Sequence, residues 1–112
     1  MTKAYPTTLR EASAALAAGE LSSAELTEAM LARVQAVEPT VRAFLTLTAE
    51  AAMAEARAAD TSRSAASGPL HGLPLAIKDV ICTEGVRTTC GSGPIRRAIC
   101  RRSPSAIPKT RR

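Results

Sequence analysis

The chain has 112 residues, of which 46% are hydrophobic but only 2% are aromatic, and its formal net charge is +5. Alanine supplies much of the hydrophobic share and offers little area to bury, so the core is thin for an independent domain. Three cysteines without a CxxC pair and a single histidine indicate neither a disulfide framework nor a zinc site. No apolar stretch is long enough to span a bilayer, and we expect a cytoplasmic protein.

Two capping boxes predict the first helices. In the first, Thr8 is followed three residues later by Glu11, and Gly19 is placed to end the helix. In the second, Ser22 pairs with Glu25, and we expect this helix to stop at Pro39. Apolar residues at helical spacing predict one packed face on each helix; these residues are Leu9, Ala12 and Leu16, then Leu26, Met30, Leu31, Val34 and Val37.

Three further segments follow in the chain. Residues 41–48 are short and partly alternating, which is typical of a strand or an extended link. The alanine-rich residues 48–59 predict a third helix, and the small polar residues 60–69 predict a solvated loop. Gly85, Gly91 and Ser92 indicate turns farther on.

The run GLPLAIKDV, residues 72–80, places a lysine in an otherwise apolar segment. Alternation predicts a strand that is apolar on both faces, with Lys78 near its carboxyl end, where open α/β sheets place their active sites. Desolvation favours a neutral amine, which can act as a general base. From spacing alone, a strand-end lysine that reaches solvent is the commoner alternative, and Asp79 faces the other way on an ideal strand.

Residues 68–92, GPLHGLPLAIKDVICTEGVRTTCGS, resemble the first signature block of the amidase signature family. The preceding helical residues resemble the N-terminal segment of the same family, so the resemblance covers residues 8–92. Within the family, the VRTTCGS sequence is most similar to the A subunits of tRNA-dependent amidotransferases. The implied fold class is α/β, in which N-terminal helices pack against a large mixed sheet and this chain supplies the helices and the first strand or strands.

The resemblance also implies a chemistry. Family members use a Ser–Ser–Lys triad, and Lys78 matches its lysine. A neutral lysine would accept a proton through a bridging serine from a nucleophilic serine that attacks the glutamine amide and releases ammonia. The implied partners are the B and C subunits of a tRNA-dependent amidotransferase and, through them, tRNA. ATP and Mg²⁺ belong to the partner subunit, and no cofactor or metal is expected on this chain.

Two features depart from the family pattern. Both triad serines belong to a later Gly- and Ser-rich block that these 112 residues do not contain, so we expect the chain as given to be inactive. Residues 93–112 hold seven basic residues and no acidic one, whereas the first 92 hold eight basic and ten acidic residues. We therefore expect an amidase part at 1–92 and a disordered basic tail at 93–112.

A shifted reading frame is our hypothesis for this tail. One GC-rich spelling of Cys100 to Ser103, read one base earlier, encodes Met-Pro-Pro-Phe, close to the segment that follows in family members. Three alternatives stay open: a general amidase fragment, an inert product, and a small adaptor whose basic tail binds nucleic acid. The tail has no aromatic residue for base stacking, which disfavours the last of these.

Overall fold

The structure, a computed structural model, describes residues 5–91. The first helix begins at a capping box, as the sequence predicts. Helix α1 spans Leu9–Ala18; Thr8 Oγ1 accepts the Glu11 N–H at 3.2 Å, and the Glu11 carboxylate accepts the Thr8 N–H at 3.2 Å. Gly19 ends the helix with a φ of 72°, a left-handed conformation that glycine adopts without steric cost.

The second helix, α2, spans Ser23–Val41 and begins at the predicted Ser22–Glu25 capping box. The predicted stop at Pro39 is wrong, because the helix continues for two more residues. A proline in the last turn removes one N–H donor, and that loss alone did not unwind the turn. The chain leaves the helix at Arg42, whose φ is 51° and whose N–H donates to Glu38 O at 2.8 Å.

The third helix, α3, spans Ala49–Ser62, so it is longer at its carboxyl end than the predicted 48–59. Asp60, expected in a loop, therefore lies in the last turn of α3. Residues 42–48 between α2 and α3 form a link without a strand, so the strand, one of the two alternatives for residues 41–48, is not found there, and Val41 belongs to α2.

The core of the helical part is small, as the alanine-rich composition predicts. Among the described residues it consists of Ala12, Leu16, Leu21 and Leu26, with Met30 and Leu73 packed against it. Helices α2 and α3 pack on each other, and Ala56 is buried on α3. The predicted apolar face of α1 is right for Ala12 and Leu16 but wrong for Leu9, which is 62% exposed.

The predicted α/β class is not found in residues 5–91, which contain three helices and an isolated bridge between Thr83 and Val86 but no strand. The strand expected within residues 72–80 does not form there. Leu75 and Ile77 on this segment are 82% and 51% exposed. A strand is stabilised by hydrogen bonds and side-chain contacts from neighbouring strands, and residues 5–91 contain no strand that could pair with this segment.

The chain divides into two compact units, residues 1–75 and residues 76–112, and the three helices belong to the first. In the second, the described part is a turn-rich loop over residues 76–91. Within residues 5–91 no helix is both long enough and apolar enough to cross a membrane. The proposed boundary at 92/93 and the disordered tail lie outside the described residues and stay predictions.

Candidate functional site

Lys78, the predicted catalytic lysine, lies on irregular backbone in the second unit, and its side chain is exposed. Its carbonyl oxygen accepts the Ile81 N–H at 3.0 Å, which closes a tight turn. The expected burial of Lys78 is therefore not found here. No layer within the described residues covers the segment, so the ammonium group keeps its water.

The next residue, Asp79, is held by the far end of the same loop. Its Oδ1 accepts the Thr89 N–H at 2.8 Å, its Oδ2 accepts the Thr89 hydroxyl, and its carbonyl oxygen accepts the Cys90 N–H at 2.9 Å. We call Asp79, Thr89 and Cys90 with these three hydrogen bonds the Asp79 clasp. It joins the residue after Lys78 to the TTCG stretch that the sequence places ten residues later.

Further contacts shape the loop that the Asp79 clasp closes. Thr88 is 5% exposed, and its hydroxyl donates to Ile81 O at 3.3 Å. Gly85 has a φ of 73° between the bridged residues Thr83 and Val86. The turns predicted at Gly85 and Gly91 are confirmed, since Gly91 also has a positive φ, of 67°.

The clasp lowers the pKa of the Asp79 carboxyl below its usual range. The main cause is the hydrogen bond from the Thr89 side chain, followed by the one from the Thr89 N–H, while the Lys78 charge contributes least. These donors favour the ionised carboxylate because they bind it more strongly than the neutral acid. The group next to Lys78 is therefore an anion at neutral pH.

In the first unit, a second set of contacts holds the residues that precede the GLPLAIKDV run. The Arg63 Nη2 donates to Ser23 Oγ at 3.1 Å and to His71 O at 3.3 Å. Ser23 is fully buried, and His71 Nε2 lies 2.8 Å from Ala59 O. Gly72 follows with a φ of 78°, and a Cβ there would overlap Ser23 Oγ. These contacts tie the loop after α3 to the start of α2.

Asp60 caps α2 from the last turn of α3. Its Oδ1 accepts the Ser23 N–H at 2.7 Å, and its Oδ2 accepts the Ala24 N–H at 3.0 Å. Burial pushes the pKa of Asp60 upward, but the hydrogen bonds from Ala24 and Ser23, together with the Arg63 charge, outweigh it and leave the pKa lowered. This carboxylate stabilises the helical unit, and none of its contacts involves a predicted site residue.

The sequence reasoning missed both Asp79 and Asp60, whose partners lie ten and thirty-six or more residues away in the chain. No local pattern marks such pairs. Among residues 5–91, no three His, Cys, Asp or Glu side chains are grouped so that they could hold a metal ion. Lys78 and Asp79 do not by themselves make a site for acyl transfer, because that reaction also needs a nucleophile.

Comparison with known proteins gives the family. The sequence profile of the Amidase family matches residues 25–99. The chain is 60% identical over 94 residues to the A subunit of the glutamyl-tRNA(Gln) amidotransferase of Chloroflexus aurantiacus, a match that covers 82% of this chain and 19% of that protein. It is 59% identical over 93 residues to the A subunit of the same enzyme from Roseiflexus sp., with 82% and 19% covered.

A third relative, the corresponding A subunit from Thioalkalivibrio sulfidiphilus, is 55% identical over 86 residues, with 76% of this chain and 18% of that protein covered. No solved structure matches the chain. The chain belongs to the amidase family, since the family profile covers most of its length. It spans about a fifth of the length of these curated relatives. The family match ends at residue 99, seven residues beyond the end of the resemblance described above.

Proposed function

We propose that this chain provides the N-terminal part of an amidase that hydrolyses glutamine and supplies the ammonia for converting Glu-tRNA(Gln) to Gln-tRNA(Gln). The observation that carries the proposal is the 55–60% identity to three proteins named as the A subunit of that amidotransferase. Membership of the amidase family supports the reaction type, which is the cleavage of a carbon–nitrogen bond in an amide.

Lys78 is the proposed base of the reaction. In its neutral form it accepts a proton, relayed by a bridging serine, from the serine that attacks the glutamine carbonyl. The acyl-enzyme forms as the amide nitrogen leaves as ammonia, and water then releases glutamate. Residues 1–112 contain the lysine but not the Gly- and Ser-rich block that holds the two serines. These residues alone therefore carry out no acyl transfer.

The α/β class is proposed for the longer protein, in which neighbouring strands pair with residues 73–78. The exposed side chains of Leu75 and Ile77 support this, because a soluble protein gains stability when such side chains are covered. Among the described residues, no backbone hydrogen bond reaches the N–H or carbonyl groups of Leu75, Ala76 and Ile77. Pairing would desolvate the turn at Lys78 and favour its neutral amine.

The proposed partners are the B and C subunits of the amidotransferase and, through them, tRNA, in the cytoplasm. The B subunit would use ATP and Mg²⁺ to activate the glutamate of the misacylated tRNA. A general amidase that acts on small amides is the alternative within the same family, and it would need no partner.

A chimera tests the proposal directly. Residues 1–91 of this chain replace the corresponding start of the Chloroflexus aurantiacus protein, and ammonia release from glutamine is measured with and without Lys78→Ala. We expect activity in the parent chimera and its loss in the variant, whereas residues 1–112 alone release no ammonia. A Lys78→Ala chimera as active as its parent contradicts the role of Lys78.

A further inference from the structure

Asp79, the residue that follows Lys78, has more hydrogen bonds to residues distant in the sequence than any other residue of its loop. Three donors from Thr89 and Cys90 converge on Asp79, two on its carboxylate and one on its carbonyl oxygen. The Lys78 carbonyl oxygen is bonded as well, to the Ile81 N–H at 3.0 Å. The backbone carbonyls of both residues are therefore fixed, while the Lys78 side chain is exposed to solvent.

We propose that Asp79 is a positioning residue for Lys78, and this inference rests on the catalytic role proposed for that lysine. A lysine side chain has a flexible four-carbon stem, so its amine can be aimed only if its own backbone is held in place. Asp79 holds it by closing the loop of residues 80–88 at the peptide unit next to Lys78. Misplacement of a catalytic group by about 1 Å can cost about 100-fold in rate.

The geometry requires a side chain with two hydrogen-bonding atoms at position 79, one for each polar group of Thr89. Each carboxylate oxygen takes one donor of Thr89, its N–H at 2.8 Å on one oxygen and its hydroxyl on the other. An alanine at position 79 loses both bonds. An asparagine keeps one acceptor, and the Thr89 hydroxyl can rotate to accept from its amide, so Asp79→Asn is a conservative rescue. At the other end of the clasp, Thr89→Ser keeps the hydroxyl and Thr89→Val removes it.

The first experiment measures the clasp itself in the full chain, by amide hydrogen exchange followed with NMR. Asp79→Ala and Thr89→Val are expected to speed exchange of the Cys90 N–H by about tenfold, while Thr89→Ser restores protection. Glu84→Ala is the matched control, because Glu84 is an exposed carboxylate of the same loop, and exchange should then change by less than about twofold. Equal exchange in the Asp79→Ala and Glu84→Ala variants overturns the clasp.

The second experiment measures ammonia release in the chimera described above. Asp79→Ala is expected to lower kcat by about tenfold or more and to leave KM for glutamine within about twofold, with Asp79→Asn and Thr89→Ser close to the parent. Helical circular dichroism confirms folding, since the three helices lie outside residues 76–91. An Asp79→Ala variant that changes only KM, or that keeps the parent kcat, overturns the positioning role.

Lys78→Ala separates the two proposals. If Lys78→Ala is inactive while Asp79→Ala and Thr89→Val keep the parent kcat, the positioning role fails and the proposed function stands. If Lys78→Ala keeps the parent activity, the proposed function fails whatever the Asp79 variants do. A loss of kcat in Lys78→Ala, Asp79→Ala and Thr89→Val, together with rescue by Thr89→Ser, supports both.

Discussion

Replacing Asp60 by alanine tests how the helical unit is held together. The start of α2 presents four N–H groups, and each has a side-chain acceptor. Ser22 N–H donates to Glu25 Oε2 at 2.9 Å, and Glu25 N–H donates to Ser22 Oγ at 3.0 Å. The other two, from Ser23 and Ala24, both donate to Asp60, at 2.7 and 3.0 Å. Asp60→Ala leaves these two donors without their partner.

The expected cost follows from the number and kind of bonds that are lost. Replacing a helix cap by alanine costs about 0.5–2 kcal/mol. Hydrogen bonds to a charged group contribute about 1.5–3 kcal/mol when they are shielded from water. Asp60 is only half-buried and water replaces part of the loss, so we expect Asp60→Ala to lower the free energy of unfolding by about 2 kcal/mol. Asp60→Asn keeps one acceptor oxygen and should cost about 1 kcal/mol.

Urea unfolding followed by helical circular dichroism measures this loss. Glu55→Ala is the matched control, because Glu55 is an exposed carboxylate on the same helix α3, and its effect should stay within about 0.5 kcal/mol. The reasoning is refuted if Asp60→Ala costs no more than Glu55→Ala. In that case the hydrogen bonds from Ser23 and Ala24 to the Asp60 carboxylate contribute nothing to stability.

The pH dependence of the same variant gives an independent check. The pKa of Asp60 is lowered in the folded chain, with burial opposing the hydrogen bonds. Its contribution to stability is therefore present above the pKa of an unfolded aspartate, about 3.9, and is lost as the pH falls through the lower folded value. The difference in unfolding free energy between the parent and Asp60→Ala should shrink across that acid range. A difference that stays constant from neutral pH to well below this range contradicts the assignment.

Two further predictions concern packing. Gly72→Ala should lower the free energy of unfolding by more than about 2 kcal/mol, for two reasons. The added Cβ would overlap Ser23 Oγ, and the φ of 78° at this position is unfavourable for alanine. Gly68→Ala, with nothing within 4 Å of the added Cβ, should change it little, and similar costs for the two variants contradict the close approach. Leu16→Ala, at 1% exposure, should cost about 3 kcal/mol, and Leu75→Ala, at 82% exposure, less than about 0.5 kcal/mol in the same urea assay. Equal losses at these two leucines contradict the placement of the core.

The features predicted best are those set by neighbours within four residues. Both capping boxes are confirmed, because each depends on side chains three residues from the backbone groups they bind. The glycine stop of α1 is confirmed because it depends on the backbone freedom of Gly19 itself. The predicted end of α3 is wrong for the converse reason. Asp60 has a low intrinsic helix propensity, but its carboxylate is held by the N–H groups of Ser23 and Ala24 on another helix.

The candidate site was predicted less completely. Lys78 was singled out by its place in an apolar run, and its catalytic role, which comes from the resemblance to a family motif, stays a prediction. Alternation placed Asp79 on the face of a strand opposite to Lys78. The structure instead bends the chain at Lys78 and binds Asp79 to Thr89. A single sequence cannot reveal this pair, since either residue alone is an ordinary surface aspartate or threonine.

The amino-acid sequence alone determined the helix starts, the glycine turns and the membership of a family, because these follow from local side-chain chemistry and a shared order of residues. Only the tertiary structure decided where Asp60 and Asp79 bind, and that Leu75 and Ile77 in the apolar run before Lys78 lie exposed without a strand. The physical reason is the same in each case. A carboxylate that binds backbone groups far away in the chain depends on groups that only folding brings together. A strand depends in the same way on its neighbouring strands, so the local sequence does not predict either contact.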